Sequence, residues 1–250
     1  VKISLKKSLL IIAIILTLNT QCSALDNDLP DDIELDTSEA IKINDKFEKT
    51  NRKVFQFNKG TDKVVIDPAT EAYKYVTFSQ LARQSIDNAL KNLYEPNHMI
   101  NSIFYLNPAG FFRSGVRFLI NSTIGLAGLF DVATKLGVQR YDIGFSDIMA
   151  GRMCIKNGPY LMLPILGPST VRNGSGLLID KLLLDPFSFI FPFWGTAARF
   201  GIELISTKEQ MKPLMQQISQ DSIDPYTTLK SYYYQSDYVK EFTTYDHSKK

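Results

Sequence analysis

Leu81-Ala82-Arg83-Gln84-Ser85-Ile86-Asp87-Asn88-Ala89-Leu90-Lys91-Asn92-Leu93 is the stretch that decides the fold class. With Phe78 ahead of it, the apolar and small residues Phe78, Leu81, Ala82, Ser85, Ile86, Ala89, Leu90 and Leu93 recur at three- and four-residue spacing. That is one stripe of an amphipathic helix, and Arg83, Gln84, Asp87, Asn88, Lys91 and Asn92 fall opposite it. The pattern predicts a helix over 73–93, stopped by Tyr94-Glu95-Pro96, because proline removes a backbone donor. Asn107-Pro108 opens a second helix, since proline is at home in a first turn. That helix is expected to run through Phe111, Phe112, Val116, Phe118, Leu119 and Ile120. Leu177, Leu178, Leu182, Leu183 and Leu184 predict a further short one. Neither a heptad array nor an internal repeat is present, and the chain reads as mainly helical.

Three apolar segments break the helical pattern. Residues 124–129 read Ile-Gly-Leu-Ala-Gly-Leu, where Gly125, Ala127 and Gly128 leave room for close backbone approach. Either a helix contact of the kind found in lipid or a tightly packed turn between core helices fits that pattern. Residues 158–168 are apolar but carry Pro159, Pro164 and Pro168, which excludes a straight spanning helix. Such irregular backbone is tolerated at membrane depth only when packed against protein or lining a cavity. Residues 187–194 hold five aromatics in eight positions: Phe187, Phe189, Phe191, Phe193 and Trp194. Exposed in water they would be an aggregation hazard, and Pro192 argues against a central strand, so membrane or partner contact is the expectation.

At the N-terminal end Lys2, Lys6 and Lys7 precede a ten-residue apolar run over 9–18. This is the pattern of a secretory signal over 1–24. Ten helical residues reach ~15 Å of a ~30 Å hydrocarbon core, too little for a span. Cleavage after Ala24 and lipidation of Cys22 as a new N-terminus are both open, with Gln21 standing where lipoproteins normally have a small residue. If Cys22 is removed or lipidated, Cys154 is left as a single thiol, expected to be a small buried apolar side chain. From Asp26 to Glu39 there are seven acids and no base, which reads as a solvated linker over 25–44. The folded part is expected over 45–242, followed by a charged tail at 243–250.

Of the 250 residues 44% are hydrophobic and 22% charged, the composition of a folded protein. The net charge of +2 falls just below zero without the first 24 residues, which argues against a nucleic-acid binder, whose affinity depends on clustered Lys and Arg. Two Cys and two His give no structural zinc pattern. Asn173-Gly174-Ser175-Gly176 has the wrong spacing for a nucleophile elbow and reads as a turn. Neither His98 nor His247 has a Cys, Asp or Glu at ligand spacing. No pair of carboxylates stands out as acid and base. The residues therefore predict no catalytic site, no metal and no cofactor.

Several collinear motifs resemble the MlaA (VacJ) family of outer-membrane phospholipid transport lipoproteins. Asn51-Arg52-x-x-Phe55-x-Phe57-Asn58 is similar to its N-terminal motif, and Leu93-Tyr94-Glu95-Pro96-Asn97 to a second. The stretch 117–133, from Arg117 through Gly125 and Gly128 to Ala133, is the strongest likeness. Gly158-Pro159-Tyr160 through Gly167-Pro168-Ser169-Thr170-Val171-Arg172 and Asp224-Pro225-Tyr226 extend it. Lys46 and Thr50 depart from the family's usual Pro and Phe.

The resemblance implies an all-α ring of amphipathic, membrane-interfacial helices around a central channel, in the periplasmic leaflet of the outer membrane. It implies a trimeric outer-membrane porin, a soluble periplasmic lipid carrier and phospholipid itself as partners. The expected activity is transport of mislocalised phospholipid from the outer leaflet to that carrier, without bond making or breaking. Gly125, Gly128, Leu161, Leu163, Pro164, Leu166 and Pro168 are the expected lipid path. A structural or virulence-related surface protein, binding a partner through its apolar loops, is the alternative.

Overall fold

The computed structural model describes residues 43–249; the expected signal, Cys22 and the acidic segment up to residue 42 lie outside them. Helix α1 (Glu48–Thr61) passes through a π-turn (Asp62–Ile66) into α2 (Asp67–Thr77). Then come α3 (Gln80–Tyr105), α4 (Pro108–Thr123), the single turn α5 (Val132–Lys135) and α6 (Phe145–Gly151). A hairpin of β1 (Tyr160–Leu163) and β2 (Gly167–Thr170) leads into α7 (Val171–Ile179), which ends in a second π-turn (Asp180–Leu184). The short α8 (Phe187–Ile190), the long α9 (Phe193–Asp221) and α10 (Pro225–Lys249) complete the chain. The fold is predominantly α-helical, and residues 243–249 continue α10 instead of forming a separate tail.

The helix expected over 73–93 is divided between two. Phe78 takes φ +51°, and the Ser79 hydroxyl accepts from the Ala82 N–H at 3.1 Å, so the serine caps a new helix. Nor does Pro96 stop α3, which runs on to Tyr105 and ends where Leu106 adopts φ +59°. Proline deprives the helix of one backbone bond, but α3 packs along α4 and buries Glu95 against Arg117. Tertiary contact overrides the local preference. Asn107-Pro108 opens α4 as predicted, the Asn107 side chain accepting from the Gly110 N–H at 2.9 Å.

Residues 158–168, expected as an irregular loop, form the antiparallel hairpin, with Tyr160 opposite Thr170 and Leu163 opposite Gly167. Its turn needs φ +66° at Ile165 and +95° at Gly167. The segment 173–176, read as a turn, lies inside α7, whose cap is Thr170, accepting from the Asn173 N–H at 3.2 Å. A Cβ on Gly176 would sit 2.5 Å from the Ser146 backbone nitrogen, so this glycine lets α7 close on α6. Cys154 is exposed at φ +54°, not buried, because it falls in the turn leaving α6.

One apolar cluster joins α1, the hairpin, α9 and α10 through Phe55, Tyr160, Met162, Ile218, Tyr226 and Leu229. A second gathers Tyr105, Tyr141, Ile143, Phe145 and Ile148 around the start of α6.

Candidate functional site

Helix α1 holds the hairpin through two asparagines seven residues apart, on the same helical face. Asn51 donates to the Tyr160 carbonyl at 3.0 Å and accepts from the Met162 N–H at 3.0 Å. Two turns on, Asn58 donates to the Leu163 carbonyl at 2.9 Å and accepts from the Ile165 N–H at 2.7 Å. The two amides thus satisfy the free edge of β1 as a neighbouring strand would. Phe55 lies between them and meets Tyr226 edge-on, ring centroids 5.8 Å apart. Arg52 grips Asp224 with two nitrogens, at 2.7 and 3.1 Å, and its guanidinium lies over the Tyr226 ring. That bidentate pair holds the Asp224 carboxyl well below the usual carboxylate range. Burial works against ionisation of Asp45, but bonds from Lys230, Tyr226 and Asn51 outweigh it and lower its pKa.

The hairpin so fixed forms one wall of a cavity of about 650 Å³. Phe55, Asn58 and Lys59 of α1 face it, with Asp62, Lys63 and Ile66 of the π-turn. Met162, Leu166, Gly167 and Pro168 come from the hairpin. The opposite wall is α9, with Phe200, Leu204, Met211 and Met215 interspersed with Glu203, Lys208 and Lys212. Ion pairs tie that wall across: Lys208 to Asp62 at 2.8 Å, Lys212 to Asp67 at 2.8 Å, and Lys181 to Glu203 at 2.9 Å. Burial pulls the Lys181 pKa down against the opposing pull of Glu203. An apolar lining with a few placed charges is the chemistry of a site for an amphiphile.

The outer surface around α3 and α4 is built the other way round from a water-soluble protein. On α4 the buried residues are Gly110, Ser114, Arg117 and Asn121, while Phe112 and Leu119 are 67% and 63% exposed. On α3 the buried side includes Asn92, Glu95, Asn97, Asn101 and Ser102, while Leu81 and Ile103 face out. Arg117, 1% exposed, binds Glu95 at 2.8 Å and donates to both carboxylate oxygens of Asp131 at 3.1 Å. Burial opposes ionisation of Asp131, but bonds from Thr134, Asn121 and Arg117 lower its pKa to about 2. This polar knot folds residues 124–130 into a turn, settling the open choice there against a helix. Gly128 has φ +89°, and a Cβ on it would lie 2.6 Å from that of Asn92. Ile124, Leu126 and Phe130 project outward from the turn.

A family model described as MlaA lipoprotein matches residues 43–240. The chain belongs to that family. The protein of Haemophilus influenzae named intermembrane phospholipid transport system lipoprotein MlaA is 27% identical over 210 residues, 80% of each chain. The Escherichia coli K12 protein of the same name is 28% identical over 195 residues, 76% of each. An uncharacterized protein of Rickettsia prowazekii is 31% identical over 195 residues, 76% of this chain and 75% of its own. A chain from a solved structure described as "Structural basis for maintenance of bacterial outer membrane lipid asymmetry" superposes with a TM-score of 0.66 at 29% identity. The match covers 80% of this chain and 98% of that one.

The MlaA-family motif residues Asn51, Arg52, Phe55 and Asn58 meet at the hairpin clamp, and Phe57 is exposed. Of the expected lipid path, Leu166 and Pro168 line the cavity. Leu161 and Leu163 alternate to the other face of β1, away from Met162. Pro164 is exposed in the turn, and Gly125 and Gly128 belong to the turn after α4, apart from the cavity lining. Phe189, Phe191, Phe193 and Trp194 are exposed, and Phe187 is half-buried, stacked on Phe191. Sequence reasoning missed the α9 wall. Its signal was there in Phe200, Leu204, Met211 and Met215, which keep helical register. Among the described residues no group of His, Cys, Asp or Glu is placed to hold a metal ion.

Proposed function

We propose that the chain moves phospholipid between membranes to keep the outer membrane asymmetric, seated in the periplasmic leaflet and passing lipid through the cavity between α1, the hairpin and α9. Membership of the MlaA family supports the role, and the inverted surface of α3 and α4 carries the seating. Side chains such as Phe112, Leu119 and Ile124 face outward while charge is buried behind them, which is favourable only where the solvent is apolar. Among the described residues no helix is long and apolar enough to cross a membrane, in keeping with helices that lie in the interface.

Transport of this kind needs no nucleophile. The apolar wall of Met162, Leu166, Leu204, Met211 and Met215 shelters acyl chains, and the charged residues keep a head group at the polar side. Leu166 and Pro168 remain on the proposed path, and the aromatic segment 187–194 is proposed to contact lipid or a porin. A soluble periplasmic carrier would receive the lipid, and the expected boundaries at 24 and 44 make the preceding segment a leader and tether.

The test is complementation in a bacterium lacking its own family member. Expression of the full chain should clear phospholipid from the outer leaflet, measured by labelling of surface-exposed lipid. An outer leaflet left unchanged, with the protein exported and stable, would favour the partner-binding alternative.

A further inference from the structure

The charges around the cavity do not balance, and the surplus is local. Lys208, Lys212 and Lys181 are each matched by Asp62, Asp67 and Glu203. Lys59 and Lys63 line the same cavity and are exposed, and their ammonium groups make no ion pair or hydrogen bond with any described residue. They stand four residues apart, at the end of α1 and in the π-turn, so their ammonium groups share one face. Like charges at that spacing oppose one another in the helix, and the neighbouring acids Asp62 and Asp67 are taken by Lys208 and Lys212. The Asn58 amide beside them is already committed to the hairpin backbone. The same cavity is lined by the adaptable side chains of Met211 and Met215 and by Leu204 and Phe200.

We infer that Lys59 and Lys63 hold the phosphate of a phospholipid whose acyl chains enter the cavity, an assignment that rests on the transport reading above. A bridging phosphate diester removes the repulsion between the two ammonium groups and accepts hydrogen bonds from both. A small soluble anion would satisfy the lysines but leave the methionine wall against water. Diacylglycerol would fill the wall but leave the lysines unmatched. Only an amphiphilic anion answers both halves of the site.

The experiment uses the full chain in detergent and two photoreactive probes with the same diazirine-bearing acyl chain, phosphatidylglycerol and diacylglycerol. Labelling is mapped by mass spectrometry to α9. Lys59→Gln combined with Lys63→Gln should lower α9 labelling by phosphatidylglycerol about tenfold at limiting probe, since charge-assisted bonds are lost. Labelling by diacylglycerol should stay the same, and Lys59→Arg with Lys63→Arg should retain phosphatidylglycerol labelling. Both positions are exposed, and unchanged thermal melting of the variants checks that the fold persists. Equal phosphatidylglycerol labelling of α9 in the glutamine variant would overturn the phosphate site while leaving the cavity as the lipid path. Failure of either probe to label α9 in the unaltered chain would overturn the path itself. Full displacement of phosphatidylglycerol by millimolar inorganic phosphate would make the lysines a simple anion site and also overturn the assignment.

Discussion

The hairpin end of the molecule and the α3–α4 pair use the same residue types in opposite directions. Around β1 the interior is Phe55, Tyr160, Met162, Ile218 and Leu229, and ion pairs such as Arg52–Asp224 lie outside. Between α3 and α4 the interior is Glu95, Asn101, Ser114 and Arg117, and the outside is Phe112, Leu119 and Ile124. The first arrangement is stable in water through apolar burial. The second gains nothing from water on its outer face and is held inside by charge and hydrogen bonds. On the proposed function one chain is folded against two solvents, with the cavity between α1, the hairpin and α9 on the water-built side.

The largest expected effect separates the two interiors. Arg117→Met should destabilise the fold by ~3–5 kcal/mol in thermal unfolding, because it leaves the fully buried Glu95 with only the longer contact from Arg140 at 3.8 Å. An ordinary apolar contact between α3 and α4 would tolerate the methionine, and a loss below ~1 kcal/mol would break the contrast. Next, Asn58→Ala strips the Leu163 carbonyl and Ile165 N–H of their partners and should cost ~1–3 kcal/mol. Because it loosens the cavity wall, it should impair clearance of outer-leaflet phospholipid more than a core change of equal cost.

A smaller, pH-dependent effect belongs to the polar knot alone. Asp131 has a pKa lowered to about 2 in the fold, so its contribution is complete above the ordinary carboxylate value of 3.8. It is lost as pH falls through about 2. Asp131→Asn should therefore be less stable at neutral pH and lose less stability over that acid interval; parallel acid curves for the two proteins would contradict the assignment. Smallest in stability is the outer face: Phe112→Gln with Leu119→Gln should change unfolding in water by no more than ~0.5 kcal/mol. The same variant should lose binding to phospholipid vesicles in a flotation assay, which separates a lipid-facing stripe from a packing one.

The helical class was legible from spacing alone, because α4 and the start of α3 keep strict three- and four-residue periodicity. Periodicity says that a stripe exists but not which solvent it faces, so the outward turn of Phe112 and Leu119 was legible only through the family resemblance. Pro96 misled because local sequence carries no record of the Glu95–Arg117 contact that keeps the helix going. Residues 158–168 misled in the other direction. Their strand pairing depends on side-chain amides from Asn51 and Asn58, more than a hundred residues earlier. Asn51, Arg52, Phe55 and Asn58 were legible as a motif, yet their role as a clamp needed the fold. The cavity went unread because its α9 wall lay in a stretch where methionines and lysines alternate without a motif.

Trp194 gives the most direct test of the lipid-facing surface, since it is the only tryptophan and is 79% exposed at the start of α9. Its fluorescence in the lipid-free chain and after addition of phospholipid vesicles reports whether this side of the molecule enters a bilayer. The account predicts red-edge emission that iodide quenches in water, then a blue shift and loss of iodide quenching on vesicles, with quenching by brominated acyl chains in its place. An unchanged spectrum and undiminished iodide quenching, with the protein shown to be bound to the vesicles, would contradict it.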